Sequence, residues 1–358
     1  GDSSYNICTQ GNMCATAFYG SGANLTNLPG WTPDAQENLY AGTQAGQSSD
    51  ADTYYNIAIG GNAGRQLNEG DYNVFIGSSA GCCTTSGLVN VAVGCNAGSF
   101  ITTGGCNVVM GKQAGYRIST GNCNIFFGTE AGCGGYNSGN DTHLTGCNNI
   151  GVGVYAAKNL TTGNNNLILG CAAGEDLSTG SDNVFLGSRA GCNITTSSDN
   201  IFIGKAPGTT STASCMNIVI GFEAGMAGTL ASKYNTFIGQ QAGCENTSGC
   251  GNAFLGYQAG QETTTGQCNV FMGYQSGKTV TTGSNNIALG KLALGTGTVT
   301  GDDNIVLGTE SGCVIADGAD NVIIGLEAGK SLVSGNRNAM VGREAGLNAT
   351  SGYNAFFG

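Results

Sequence analysis

The chain has 358 residues, of which 64 are glycine and three are proline, and it carries a formal net charge of −11 with a single histidine. Glycine without a strict triplet repeat excludes collagen. The acidic balance, with no run of lysine or arginine, argues against nucleic acid as a partner. No apolar run approaches the ~20 residues that span a bilayer, so the sequence predicts no membrane insertion.

The first 37 residues lie outside the pattern that fills the rest of the chain. They contain Cys8, Cys14, the only tryptophan, Trp31, and two of the three prolines. The open end of a repeat array needs a terminal unit, because a bare strand edge invites association. We therefore predict an N-terminal cap or junction over residues 1–37 and one elongated repeat domain over residues 38–358.

From Asn38 onward a short motif recurs, consisting of an asparagine, three mostly apolar residues and a glycine, as in Asn73 to Gly77. Successive asparagines are 17 residues apart in most cases and 25 apart once, between Asn124 and Asn149. A fixed short period is the signature of a solenoid. Recurring glycines and β-branched residues disfavour helix. The sequence thus predicts an all-β fold, a parallel β-solenoid or β-roll with rungs of about 17 residues.

The recurring asparagine is predicted to be structural. In stacked rungs each amide lies over the next and can donate to the carbonyl oxygen of its neighbour, which forms a ladder. Such a ladder satisfies a polar group that is costly to bury. A catalytic or glycosylated asparagine would not need to recur in every rung. The predicted ladder includes Asn56, Asn73, Asn90, Asn107, Asn124, Asn166, Asn183, Asn200 and Asn217.

The strand that follows each asparagine is apolar on both faces. Its first and third residues, such as Val184 and Leu186, are aliphatic and share one face. Its middle residue points the other way and is usually apolar too, although a thin coil encloses only one core. An exposed aromatic stripe would exceed the apolar patch that soluble monomers tolerate. We therefore predict that the middle residues face other copies of the chain in a homotrimer, either intertwined or side by side. This predicted interface consists of Phe75, Phe126, Phe185, Phe202, Phe237, Phe254 and Phe271.

The long interval contains an insertion loop, residues 133–147, with the only histidine, His143. Insertions in solenoids map to loops on one face, which is often the binding face. Cys133, His143 and Cys147 suggest a metal site, but the close-paired cysteine spacing of zinc sites and a fourth ligand are missing. We interpret the segment as a surface loop and predict no metal site.

The 16 cysteines recur at a few positions of the repeat. We predict that most of them are unpaired and buried, because few positions carry cysteine in consecutive rungs. A single histidine excludes most catalytic triads, and nucleophile-elbow, phosphate-loop and zinc-protease motifs are absent from the sequence. The sequence therefore predicts no catalytic residues, no cofactor and no enzymatic activity.

Units such as NVFIGSSAG (73–81), GNCNIFFGTEAG (121–132) and QCNVFMGYQSG (267–277) resemble the Asn/Gly/Ala repeats in fibre proteins of tailed phages. The resemblance extends to tail fibres and to the cysteine-bearing versions in marine cyanophages, and it covers residues 38–358. The repeat core is also similar to the head repeats of trimeric autotransporter adhesins. The phage resemblance implies a homotrimeric structural fibre on the virion surface. Such a fibre joins other virion proteins at one end and attaches to a receptor on the host surface.

Two other functions are compatible with the sequence. The first is a bacterial cell-surface adhesin or an extracellular filament subunit. The second is an ice- or carbohydrate-binding solenoid that uses threonine pairs such as Thr102 and Thr103. A flat ice-binding face needs an unbroken threonine column, which is interrupted here, for instance in KSLVSG (330–335). The viral fibre is the preferred hypothesis.

Overall fold

The computed structural model describes residues 33–135, 142–209, 214–226 and 232–358. Most of the predicted N-terminal cap, residues 1–32, lies outside the described residues. The nineteen strands have three residues each, one in every rung. They are β1 (Leu39–Ala41), β2 (Ile57–Ile59), β3 (Val74–Ile76), β4 (Val91–Val93), β5 (Val108–Met110), β6 (Ile125–Phe127), β7 (Ile150–Val152), β8 (Leu167–Leu169), β9 (Val184–Leu186), β10 (Ile201–Ile203), β11 (Ile218–Ile220), β12 (Thr236–Ile238), β13 (Ala253–Leu255), β14 (Val270–Met272), β15 (Ile287–Leu289), β16 (Ile305–Leu307), β17 (Val322–Ile324), β18 (Ala339–Val341) and β19 (Ala355–Phe357).

The strands form one parallel sheet in which each strand pairs with the next one along the chain. Equivalent residues lie side by side, so that Phe185 of β9 is beside Phe202 of β10. Backbone hydrogen bonds join the rungs, as where the Val74 N–H donates to the Asn90 carbonyl oxygen at 2.8 Å. The predicted parallel β-solenoid with rungs of about 17 residues is confirmed.

The long interval between Asn124 and Asn149 does not disturb the sheet. Strands β6 and β7, which flank it, pair in register, with Ile125 beside Ile150. Leu144 re-enters the coil next to Ile118 and is fully buried. Residues 136–141 of the predicted insertion loop lie outside the described residues.

The core of the coil is built from three inward columns. The first is the middle residue of each strand, such as Phe271, which stacks on Phe254 with ring centroids 4.8 Å apart. The second is the alanine after the turn that closes the strand, such as Ala190. The third lies in the polar half of the repeat, where single aliphatic residues such as Ile101 and Leu177 are fully buried. The sequence analysis did not predict the third column, because the polar composition of this half of the repeat indicates a segment exposed to solvent.

The prediction that the middle strand residues face other copies of the chain was wrong. The seven phenylalanines of the predicted interface lie inside the coil and are at most 3% exposed. Successive side chains of a strand alternate between its faces, and each middle residue is two positions after the buried asparagine. It therefore shares the inward face with that asparagine. The residues concerned are Phe75, Phe126, Phe185, Phe202, Phe237, Phe254 and Phe271.

One member of the third column is a threonine without a hydrogen-bond partner. Thr84 lies between Leu67 and Ile101 in that column, is fully buried, and its Oγ1 contacts no donor or acceptor among the described residues. We expect Thr84→Val to raise the free energy of unfolding by about 1 kcal/mol, because it removes an unsatisfied buried hydroxyl. Urea unfolding followed by circular dichroism measures the change.

The next residue along the chain provides the matched control. The Thr85 hydroxyl donates to the Thr102 carbonyl oxygen at 3.2 Å. Thr85→Val therefore loses a hydrogen bond and should not stabilise the fold. Equal effects of the two substitutions would contradict the assignment of Thr84 as an unsatisfied core residue.

Candidate functional surface

The first and third residues of strands β1 to β19 point away from the core and form a continuous surface, which we call the outer sheet face. Both positions are apolar in every strand, with the single exception of Thr236 at the start of β12. No charged side chain occupies either position in the described strands. The sequence predicts correctly that these residues share one apolar face of the strand. The prediction that this face lies inside the coil was wrong.

Most residues of the outer sheet face are half-buried, and the others are exposed. Ile76, Met110 and Leu255 are 38%, 44% and 43% exposed, because equivalent side chains in the rungs above and below cover their flanks. Parallel sheets are ordinarily covered on both faces, and their strands then read as continuous apolar runs. Here the core covers one face, and the described residues leave the other open to solvent.

Aromatic residues extend the apolar surface along both edges of the outer sheet face. Tyr55 and Tyr72, which directly precede the asparagine column, stack with ring centroids 5.0 Å apart. Tyr257 and Tyr274, which follow the glycine that closes the strand, stack at 5.1 Å. All four rings are exposed to solvent. The edges also carry charge, since Asp182 takes the position that Tyr55 and Tyr72 hold in their own rungs.

The asparagine column forms the predicted ladder. Asn166 donates from Nδ2 to Asn149 Oδ1 at 2.9 Å and to the Gly180 carbonyl oxygen at 2.9 Å. Its Oδ1 accepts from the backbone N–H and Nδ2 of Asn183, at 3.1 and 3.0 Å. These buried amides tie each rung to both neighbours. The same side-chain bond to the preceding asparagine is made by Asn56, Asn73, Asn90, Asn107, Asn124, Asn149, Asn166, Asn183, Asn200 and Asn217.

The described part of the insertion loop does not assemble a metal site. Within the described ranges, no group of three or more His, Cys, Asp or Glu side chains is placed to hold a metal ion. Cys133 is buried, and that burial raises the pKa of its thiol to about 11. The described part of the chain therefore does not bring Cys133, His143 and Cys147 together as a ligand set.

The fourteen cysteines in the described ranges are free thiols, but the prediction that most are buried was wrong. Only Cys133, Cys192, Cys244 and Cys313 are buried. The others occupy surface positions, for example the position just before the asparagine, where the chain turns through positive φ and the side chain points outward. This turn could not be predicted from residue type, because the position holds residues as different as Tyr, Cys and Asp.

One vicinal pair of thiols is in contact. Cys82 Sγ and Cys83 Sγ lie 3.3 Å apart, and both side chains are partly exposed. The hydrogen bond from the Cys83 thiol lowers the pKa of Cys82 to about 6, and the same contact raises the pKa of Cys83. Cys82 is therefore the more acidic of the two thiols.

The polar half of each repeat, which we call the polar arc, carries the threonine pairs. One hydroxyl of such a pair forms a hydrogen bond within the solenoid. The first hydroxyl of a pair donates to a backbone carbonyl oxygen of the next rung, as Thr102 does to Ser119 and Thr161 does to Ser178, both at 3.0 Å. These hydrogen bonds link adjacent rungs. The column is broken by Val333, so it does not present the regular hydroxyl array that ice binding requires.

Comparison of the chain with protein-family models, curated proteins and solved structures finds no match. Among the described residues there is no helix of the length and apolar character needed to cross a membrane. The outer sheet face and the asparagine ladder are the features of the described structure that bear on function.

Proposed function

We propose that this chain is a structural, non-enzymatic part of a viral fibre. In this proposal it is a homotrimer that projects from the virion, joins other virion proteins at one end and mediates attachment to the host surface. The observation that carries the proposal is the unbroken in-register stack of nineteen strands. At ~4.8 Å between adjacent strands, this stack is about 90 Å long.

Stiffness is the property that such a stack supplies. Every rung is joined to the next by backbone hydrogen bonds, by the asparagine ladder and by stacked core side chains. Bending the stack would require several of these bonds to lengthen together on one side. A stiff rod with a polar, weakly charged arc is suited to holding an attachment end at a fixed distance from a particle.

Immunogold electron microscopy tests the proposal. Antibodies raised against residues 38–358 are applied to virus particles and to uninfected cells from the same source. We expect label along projections of the particles. Label only on the surface of uninfected cells would overturn the proposal in favour of a cellular adhesin or filament, and absence of label from both would also contradict it.

A further inference from the structure

We infer that the outer sheet face is the surface on which a second copy of this chain packs. This inference deepens the proposed function, because it replaces the wrongly predicted phenylalanine interface with a different set of residues. The interface consists of the first and third residues of the strands, at which side chains such as Leu169, Ile201 and Ile218 are more than one-third exposed in the single chain.

The area available is that of a stable interface. Full burial of an aliphatic side chain removes about 100 Å² of apolar surface from water, and roughly three-tenths of that remains exposed on average at these mostly half-buried positions. With two such residues in each of nineteen strands, the outer sheet face offers about 1,100 Å² per chain. A standard protein interface buries about 800 Å² per partner. The face is therefore large enough when a copy covers about three-quarters of it.

The shape of the face favours another copy of the chain over an unrelated partner. Its two apolar columns repeat at the strand spacing of ~4.8 Å along the whole sheet. A second copy has the same spacing and the same length, so its side chains can fit between those of the first in rung after rung. An unrelated partner would have to reproduce this repeat over the same distance.

Electrostatics also permit self-association. The chain has a net charge of −11, yet the outer sheet face has no charged residue in its two columns. Packing two such faces together therefore buries no charge and leaves no buried ion unpaired. Acidic side chains such as Asp182 and Asp199 lie at an edge of the face, where solvent and salt screen their repulsion.

The mass of the purified chain in solution tests the inference. Multi-angle light scattering of the unaltered protein should give a multiple of the chain mass of 35.9 kDa. Leu169→Lys, Ile201→Lys and Ile218→Lys combined should weaken association at least tenfold, because they place three cations in each apolar face. The matched control combines Thr103→Lys, Thr162→Lys and Thr179→Lys, which add the same charge on the exposed polar arc and should leave the mass unchanged.

A second variant separates loss of association from loss of folding. Ile201→Thr combined with Ile218→Thr keeps β-branched residues, and Thr236 shows that a strand accepts threonine at this position. It should keep the β-sheet circular dichroism spectrum and weaken association. A monomer mass for the unaltered chain, or equal weakening by the polar-arc control, would overturn the inference. A mass of two chains would support this interface and contradict the proposed trimer, so the two proposals can fail separately.

Discussion

Replacement of Asn166 by alanine is expected to lower the free energy of unfolding by about 4 kcal/mol. The side chain is buried and makes four hydrogen bonds, two to Asn183 and one each to Asn149 and Gly180. Alanine leaves these partners without that amide in a site that water does not reach. Each buried polar group left unsatisfied costs about 1–3 kcal/mol. Because some partners keep a second bond, the expected loss is below the sum for four separate groups.

Equilibrium unfolding in urea, followed by circular dichroism, measures this loss. The control is Asn193→Ala, which removes an asparagine that is exposed and lies outside the ladder. We expect the control to change stability by less than about 0.5 kcal/mol. A similarly small effect of Asn166→Ala would mean that the ladder follows from the fold but does not stabilise it.

The repeat period was sufficient to predict the solenoid, because a fixed spacing between equivalent residues determines which residues stack. It also identified the asparagine ladder, since a buried amide that recurs in every rung can be satisfied by the amide above it. Neither inference requires knowledge of where the rest of the coil turns. Both therefore follow from the sequence alone.

The inward and outward faces of the strand were assigned the wrong way round, although the sequence contained the necessary information. Asn183 and Phe185 are two residues apart and must share a strand face. If the asparagine is buried in a ladder, the phenylalanine beside it is buried as well. The prediction assigned the single core of the thin coil to the aliphatic first and third residues and did not use the face that the asparagine shares with the middle residue. Inward alanines such as Ala190 provide the space that the rings need.

The third core column could not be predicted from local pattern. Ile101 and Leu177 are single aliphatic residues among threonine, serine and glycine, so hydrophobic periodicity gives no signal there. They are buried because the polar arc folds back over the strand and closes the coil. That closure depends on turns at residues with positive φ, such as Val89 and Arg189, whose types give little indication of this conformation.

The glycine that closes each strand is expected to be the position least tolerant of substitution, and two adjacent glycines allow a matched test. Gly60 has φ of +132°, and a Cβ on it would lie 2.5 Å from the carbonyl oxygen of Gly77 in the next rung. Gly77 cannot move away, because its N–H donates to the Ile59 carbonyl oxygen at 2.8 Å. Gly60→Ala should therefore cost more than about 3 kcal/mol, from backbone strain together with the collision. A Cβ on Gly61 would meet no atom within 4 Å.

Gly61→Ala should change the free energy of unfolding by less than about 0.5 kcal/mol, because the added methyl group lies in open space. Urea midpoints of the two single variants, compared with that of the unaltered chain, measure the difference. Both changes are Gly→Ala at neighbouring positions, so their effects on the unfolded chain are nearly the same. A large difference between them then reports the backbone contact between rungs. If Gly60→Ala were as stable as Gly61→Ala, adjacent rungs would have to be farther apart at this corner than the sheet pairing of β2 with β3 allows.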